Sequence, residues 1–360
     1  MRKLASIRKI GEILPIEGAD LIVRVKVDDW YCVALKTEFK VGDLCVYFEI
    51  DSFIPVMPQV EHLRAKAFKR MGEKEGIRIK TIKLKGQISQ GLALPVHAFF
   101  DMFAGSEFDE GQELSEYFFV GNDVTDLIGV EKYEQPIPSE LNGQVKGNFP
   151  TFIKKTDQER CQNIGGRIFN ERKDTTYEIT MKLDGTSFTG FHNSGEDGVC
   201  GRNWQLQMDE WNANNTLVRL YVDSCLQSAL QAYGKNIAVQ GELMGPKIQA
   251  NREGLVAYTL YVFDIYDIDA QAQLGPDARR DALQALYDLG LNKTIVQHVP
   301  IFAYNVSMAD MGITDVAGLL KDAEGPSINH AIREGKVYKS MDGQFTFKSI
   351  SNAFLLKEKD

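Results

Sequence analysis

Cysteine is sparse and unpatterned in this chain. Its 360 residues include five, at positions 32, 45, 161, 200 and 225, with no Cys-x-x-Cys among them. An odd, scattered set excludes a disulfide framework and a clustered zinc site, and fits a reducing compartment. No apolar run reaches 18 residues, so no membrane-spanning helix and no membrane partner is expected. The start, Met-Arg-Lys-Leu-Ala-Ser-Ile-Arg-Lys-Ile, lacks the uninterrupted apolar core of a secretory signal. A cytoplasmic protein is expected, with nuclear or organellar destinations left open. Positive charge is also short, since the chain carries a net charge of −9. By that sum alone it looks unlike a nucleic-acid protein.

What is present qualifies the last point. A hydrophobic share of 44% and a charged share of 25% are ordinary for a soluble globular chain, and the length suggests two domains. Between residues 64 and 85 there are nine basic residues against two acidic ones, the strongest charge asymmetry in the sequence. Local distribution, not the total, decides whether a surface attracts phosphates.

Residues 1–120 read as strands. Leu21 to Val27 alternates, Asp28-Asp29 suits a tight turn, and Trp30 to Leu35 returns. Val41-Gly42-Asp43 is a turn leading to Leu44–Ile50. Ile77 to Lys85 alternates with a one-residue slip, which predicts a bulge of the kind that bends a strand round a small barrel. About five strands in ~100 residues suit an OB-like barrel. Arg78, Lys80, Lys83 and Lys85 would form a cationic face beside a lysine-rich loop carrying Arg64, Lys66, Lys69 and Arg70. Such a patch binds nucleic-acid backbone without reading sequence. The alternative is a solvated edge that discourages aggregation. Residues 121–175, with Pro136, Pro138, Gly143, Gly147 and Pro150, read as a linker and approach segment. Within it Thr156 and Glu159 have the spacing of a helix capping box.

The remainder, 176–360, is organised around Tyr177 to Phe191. Its centre is Lys182-Leu183-Asp184-Gly185, a strand running into a turn, with Lys182 and Asp184 on one face. A partly desolvated lysine near other cations is a candidate nucleophile. Strands are also expected at 237–243 and 258–267. Helices are expected at 209–233, at 277–289 (capped by Asp277, closed by Gly290) and at 314–322.

Further blocks follow in order. They are Gly201-Arg202-Asn203, Val239-Gln240-Gly241-Glu242-Leu243-Met244-Gly245, Leu260-Tyr261-Val262-Phe263-Asp264-Ile265, Arg333-Glu334-Gly335-Lys336-Val337-Tyr338-Lys339 and Phe345-Thr346-Phe347-Lys348-Ser349-Ile350. Together with the Lys182 block this ordered set resembles the covalent nucleotidyltransferase superfamily of polynucleotide ligases and capping enzymes. It is most similar to the ATP-dependent RNA ligases of the Deinococcus and Naegleria type, which carry an OB domain ahead of the ligase domain. The fold so implied is α+β: an N-terminal OB-like β-barrel followed by a nucleotidyltransferase domain.

The resemblance implies three phosphoryl transfers. Lys182 Nζ attacks the α-phosphorus of ATP, releasing pyrophosphate and leaving a lysyl-AMP phosphoramidate. AMP then passes to a 5′-phosphate, and finally a 3′-hydroxyl displaces it. Catalysis is expected from Lys182, Asp184, Arg202, Glu242, Glu334 and Lys348. Asp184, Glu242 and Glu334 would hold Mg²⁺ or Mn²⁺ through its waters, and Arg202 and Lys348 would supply the positive charge that activates the lysine. The nucleotide would be bound by Glu178, Thr180, Met181, Gly185 and Phe263, the last stacked on adenine, together with Lys182, Arg202 and Lys348. Glu324 is a decoy for Glu334, because it lacks the apolar-then-basic continuation. Lys336 and Lys339 are candidates for phosphate contact or for simple solvation. One departure stands out: the usual second lysine of the last block is absent, with Lys357 as a substitute.

The partner so implied is a nicked RNA-containing duplex, bound by a monomer and sealed in RNA repair. A strand ending in RNA is sensed through its 2′-hydroxyl. DNA ligase and capping guanylyltransferase are the enzymatic alternatives, and a non-catalytic nucleic-acid-binding protein is the alternative of another class. The last block close to residue 360, with the barrel ahead of it, favours the RNA ligase branch.

Overall fold

The computed structural model describes residues 3–104, 118–134 and 143–357. They form two compact units, Met1–Pro138 and Ser139–Asp360. Among the described residues no helix is long and apolar enough to cross a membrane. Pro136 and Pro138 lie outside the described residues.

The first unit is built from short strands whose alternate residues are buried. Ile22–Val27 buries Val23, Val25 and Val27, and its hairpin partner Trp30–Leu35 buries Trp30, Cys32 and Ala34. The turn between them places Asp28 at φ 52°, the left-handed geometry of a tight hairpin. A five-stranded sheet runs in the order Leu92–Pro95, Leu44–Phe48, Ala5–Pro15, Ile22–Val27, Trp30–Leu35. The long strand Ala5–Pro15 serves two partners. Its first half pairs with Leu44–Phe48 and its second with Ile22–Val27, with a register shift between Ile10 and Glu12. The bulge that bends this sheet therefore lies at Gly11.

The expected bulged strand 77–85 does not exist. Lys74–Arg78 pairs with Ser52–Pro55 in a four-stranded sheet, whereas Ile82–Leu84 makes a separate hairpin with Gln87–Ser89. The one-residue slip in the pattern marks a change of sheet. The loop 64–76 is likewise ordered, as the short helix Arg64–Ala67 and the strand Phe68–Met71.

The second unit has two sheets. The larger runs Val145–Asn148, Trp204–Leu206, Glu196–Cys200, Thr186–Asn193, Ile237–Met244, Thr259–Asp267 and Ala272–Gln273, with Val296–His298 added in parallel beside Thr259–Asp267. Helices Thr216–Asp223, Leu226–Tyr233 and Pro276–Asp288 cover one of its faces. Leu220, Leu226, Leu230 and Leu286 meet Val239, Leu260 and Val262 there in the main core. The smaller sheet runs Glu159–Arg160, Thr346–Ile350, Gly335–Ser340, Thr176–Lys182, Ile301–Ser307. Leu183-Asp184-Gly185 crosses from one sheet to the other, so residues 177–191 are two strands joined by the turn.

Three local expectations need correction. The helix expected over 209–233 is broken at Cys225, which sits at φ 60°. Helix Pro276–Asp288 starts with proline in its first turn, and Gly275, not Asp277, holds the cap position. No helix starts at Thr156. Glu159–Arg160 is instead a two-residue strand parallel to Phe347–Lys348.

Candidate active site

Cross-strand neighbours project to the same face of a sheet, and the register of the small sheet therefore builds the site. Lys182 ends its strand opposite Gly335; Thr180 lies opposite Val337 and Glu178 opposite Lys339. Val337 also pairs with Lys348, and Lys348 pairs with Arg160 in parallel. The side chains of Arg160, Lys348, Thr180 and Lys182 thus share one face. Gly335 must be glycine, because a Cβ would stand 2.2 Å from the carbonyl oxygen of Ser349. Glu334 immediately precedes it, which brings its Oε1 to 2.6 Å from Lys182 Nζ.

The larger sheet supplies the second wall. Ser187 pairs with Glu242, and the turn that leaves Lys182 delivers the Gly185 amide to Glu242 Oε1 at 3.0 Å. Asp184, on the same turn, accepts from Arg252 Nη1 at 3.3 Å. Three carboxylates therefore surround one lysine.

Their electrostatics are not those expected from the sequence. Burial pulls the Lys182 ammonium down, but Glu334, Glu242 and Asp184 outweigh it and its pKa is raised. The three carboxylates favour the protonated lysine. Glu242 is pushed up to about 7, by burial first and then by Glu334 and Asp184 against the pull of Lys182 and the Gly185 amide. Asp184 is also raised, by burial and by Glu334, with Arg252 opposing.

The donor set suits a hard divalent cation, which takes oxygen ligands. Glu334 Oε2 is buried and has no hydrogen-bond partner. Among the described residues no three acidic, histidine or cysteine side chains converge closely enough to enclose a bare ion. These carboxylates fit an ion that keeps its water shell.

With this geometry in view, comparison with known proteins is decisive. A model of the RNA ligase family matches residues 175–353, and a model described as an OB-fold domain matches residues 4–96. No curated protein matches. Among solved structures, Naegleria gruberi RNA ligase with pyrophosphate is 42% identical, with a TM-score of 0.81 over 99% of this chain and 98% of that one. A mutant of the same protein with ATP and Mn is 42% identical, with a TM-score of 0.82 over 100% of both chains. A lysine-to-methionine mutant with AMP and Mn is also 42% identical over 100% of both.

The chain belongs to the RNA ligase family.

In this RNA ligase the remaining candidates differ in their surroundings. Lys348 lies on the shared face and contacts Asp157 Oδ1 at 3.4 Å. Phe263 is half-buried against Met181, Leu183, Met244, Tyr261 and Val299. Arg202 is exposed in the turn between Glu196–Cys200 and Trp204–Leu206. The decoy Glu324 is structural: its carboxylate accepts from Ser351 Oγ at 2.6 Å and from the Asn352 amide at 2.7 Å, capping the helix Asn352–Lys357. Lys357 ends that helix, and its side chain lies outside the described ones.

Several other candidate side chains are buried in contacts of their own. Glu178 is fully buried and ion-paired with Arg279, so its side chain faces the core. The Glu178–Met181 backbone has strands on both sides, and the Met181 amide donates to Pro300 at 2.9 Å. Thr180 is buried, with its Oγ1 3.5 Å from the Val337 carbonyl. Lys336 pairs with Asp322 at 2.8 Å and Lys339 with Asp264, so neither is solvated and neither reaches outward.

Two residues escaped sequence reasoning. Arg160 gains its place only through a parallel pairing with a strand far along the chain, which leaves no local pattern. Arg252 lies in a segment without periodicity.

The first unit's basic residues are unequal. Arg78 is tied to Asp51 at 3.1 Å and stacks 4.6 Å from the centre of the Tyr133 ring. Arg70 pairs with Glu75 at 2.6 Å and Arg64 with Glu61 at 3.3 Å. Lys66, Lys69, Lys83 and Lys85 are exposed, and Lys80 is half-buried.

Proposed function

We propose that this RNA ligase uses ATP and a divalent metal to seal 3′-OH/5′-phosphate nicks in RNA-containing duplexes, through AMP carried on Lys182. The observation that carries the reading is Lys182 at the lip of one sheet, ringed by Glu334, Glu242 and Asp184, with Lys348 and Arg160 on the same face.

The chain's own groups fit each step. Lys182 must lose a proton before its amine can attack the α-phosphorus, and the carboxylates that hold the proton are the groups that fit a cation. A bound Mg²⁺ or Mn²⁺ supplies positive charge that neutralises them and stabilises charge on the transferring phosphoryl group. Glu334, nearest to Nζ, is placed to take the proton as pyrophosphate leaves and the phosphoramidate forms. Lys348 and Arg160 project from neighbouring strands toward the phosphates, where positioning and neutralisation account for most of the catalysis. Phe263 stacks on the base from the apolar side beside Met181. AMP then moves to the 5′-phosphate, and the 3′-hydroxyl expels it as the new phosphodiester forms. The exposed lysines of the first unit contribute backbone binding. RNA repair is the process this chemistry serves.

The test is covalent labelling of nucleotide-free protein with α-labelled ATP and Mg²⁺ or Mn²⁺. Label that is lost in Lys182→Ala and unmoved by excess GTP is the expected result. No label on the wild type would sink the covalent mechanism. Sealing of nicks with an RNA but not a DNA 3′ end then separates this enzyme from a DNA ligase.

A further inference from the structure

Arg252 sits where the site meets its two flanking loops. Its Nη1 lies 3.3 Å from Asp184 Oδ2, and its Nη2 lies 3.5 Å from both His330 Nδ1 and the Ile332 carbonyl. The guanidinium stacks 4.6 Å from the centre of the Phe354 ring. The next residue, Glu253, accepts from the Asn329 amide at 2.5 Å and from Asn329 Nδ2 at 3.0 Å through its carbonyl. The loop that leads into Glu334 is therefore fastened to the loop that carries Arg252.

The backbone leading to Arg252 is strained. Lys247, Gln249, Ala250 and Asn251 have φ of 66°, 43°, 55° and 48°. Non-glycine residues take that region only when their surroundings force it. Here the strain delivers a cation beside Asp184, yet all three polar contacts of the guanidinium are at the long end of hydrogen-bond range. A weakly held, partly exposed cation next to a carboxylate is readily exchanged.

We propose that Arg252 is a stand-in cation: it neutralises Asp184 in the metal-free site and yields it when a divalent ion binds. This rests on the reading that the three carboxylates hold such an ion. Arg252 and Lys182 both oppose the raised pKa of Asp184, so without Arg252 less positive charge offsets the carboxylates. With it, the ion must compete for Asp184, so metal affinity is held below what the carboxylates alone would give.

The experiment is titration of nucleotide-free, full-length protein with Mn²⁺, following free Mn²⁺ by electron paramagnetic resonance. Arg252→Gln should bind Mn²⁺ more tightly than wild type, by at least about fivefold, since it removes a unit charge a few ångströms from the ion. Arg252→Lys, which keeps the charge, should stay within about twofold of wild type. Unchanged or weaker binding in Arg252→Gln, with the thermal midpoint held, overturns the proposal. A merely structural arginine gives that result. Should Arg252→Gln fail to fold, Phe354→Leu keeps the charge but removes its seat. It should tighten Mn²⁺ binding by a smaller factor, and no tightening overturns the proposal equally. Asp184→Asn is the control for the underlying reading. If it binds Mn²⁺ as well as wild type, the carboxylate site is wrong and the proposal falls with it, whatever the labelling of Lys182 shows.

Discussion

The amide of Gly185 donates to the carboxylate of Glu242 at 3.0 Å, across the junction of the two sheets. A Cβ at residue 185 would stand 2.4 Å from the Leu243 carbonyl oxygen and 3.0 Å from Glu242 Cγ. Backbone cannot retreat as a flexible side chain can, so Gly185→Ala must push the turn away from the Glu242 strand. We expect a stability loss of about 1–3 kcal/mol, the usual cost of forcing atoms into a packed site. Loss of lysyl-AMP formation should be larger than that fall explains. Melting and labelling on the same sample check both, and normal labelling would show that the contact is dispensable.

Glu242 yields a pH prediction. Its carboxyl titrates at about 7 in the folded protein against an ordinary 4.5. The folded state therefore holds a proton that the unfolded state has released between those values, and stability falls as pH rises through that window. The deficit is absent below about pH 4 and complete above about pH 7, where it amounts to roughly 3 kcal/mol. Glu242→Gln keeps an acceptor for the Gly185 amide and has no charge to bury. It should melt several degrees above wild type at pH 8, with the gap closing toward pH 5, while ligation is lost. An equal gap at both pH values would contradict this reading.

Beneath Phe263 lies a buried charge network. Arg279 and Glu178 are fully buried and paired, and Asp264 lies between Arg279 and Lys339. Burial lowers the Lys339 ammonium to about 8, with Asp264 opposing and Arg279 assisting. Removing one member leaves unpaired charge in the core. Arg279→Met should therefore cost about 3–5 kcal/mol, measured by denaturant unfolding. A change below about 1 kcal/mol would mean that the network relaxes by taking up water or protons.

The parts legible in the sequence share a physical basis. Lys182, Asp184, Gly185 and Glu334 lie at a strand end and in turns, and Glu242 in a strand beside them, where short patterns of charge and glycine survive because the backbone needs them. The site is where two such ends meet. Arg160 and Arg252 were not singled out because each is placed by contacts with residues distant in sequence. The burial of the Glu178 and Lys339 side chains was not legible because alternation shows which residues share a face, not whether a helix covers it. The helix Pro276–Asp288, with Arg279 on its inner side, is what buries them. The strand expected over 77–85 failed for a similar reason, since alternation of two does not say which sheet a residue joins.

Arg160 and Lys348 are cross-strand neighbours in a parallel pair, which makes their roles separable from their fold. Both side chains are half-buried on the face opposite Phe347 and Tyr338, so Arg160→Ala and Lys348→Ala should keep the aromatic core and still fold. Loss of one positioned phosphate ligand costs on the order of 10²–10³ in rate. On the proposed reading both serve one phosphate region, so the double mutant should lose less than the product of the single effects. Single-turnover label transfer from ATP checks this, and full additivity would place the two residues at different phosphates.

The basic stretch of the first unit contains two kinds of residue. Arg78 is clamped between Asp51 and Tyr133, so Arg78→Ala should lower stability and change nucleic-acid affinity little at fixed folded fraction. Lys66, Lys69, Lys83 and Lys85 are exposed and can neutralise phosphates by releasing counterions. Each one that does so contributes about 0.9 to the slope of log affinity against log salt. Replacing all four with glutamine should flatten that slope by as much as about 3–4 units for a nicked duplex, while labelling of Lys182 by ATP stays at wild-type level. An unchanged slope would assign these lysines to keeping the sheet edge soluble, and the phosphate contacts would then belong to the second unit alone.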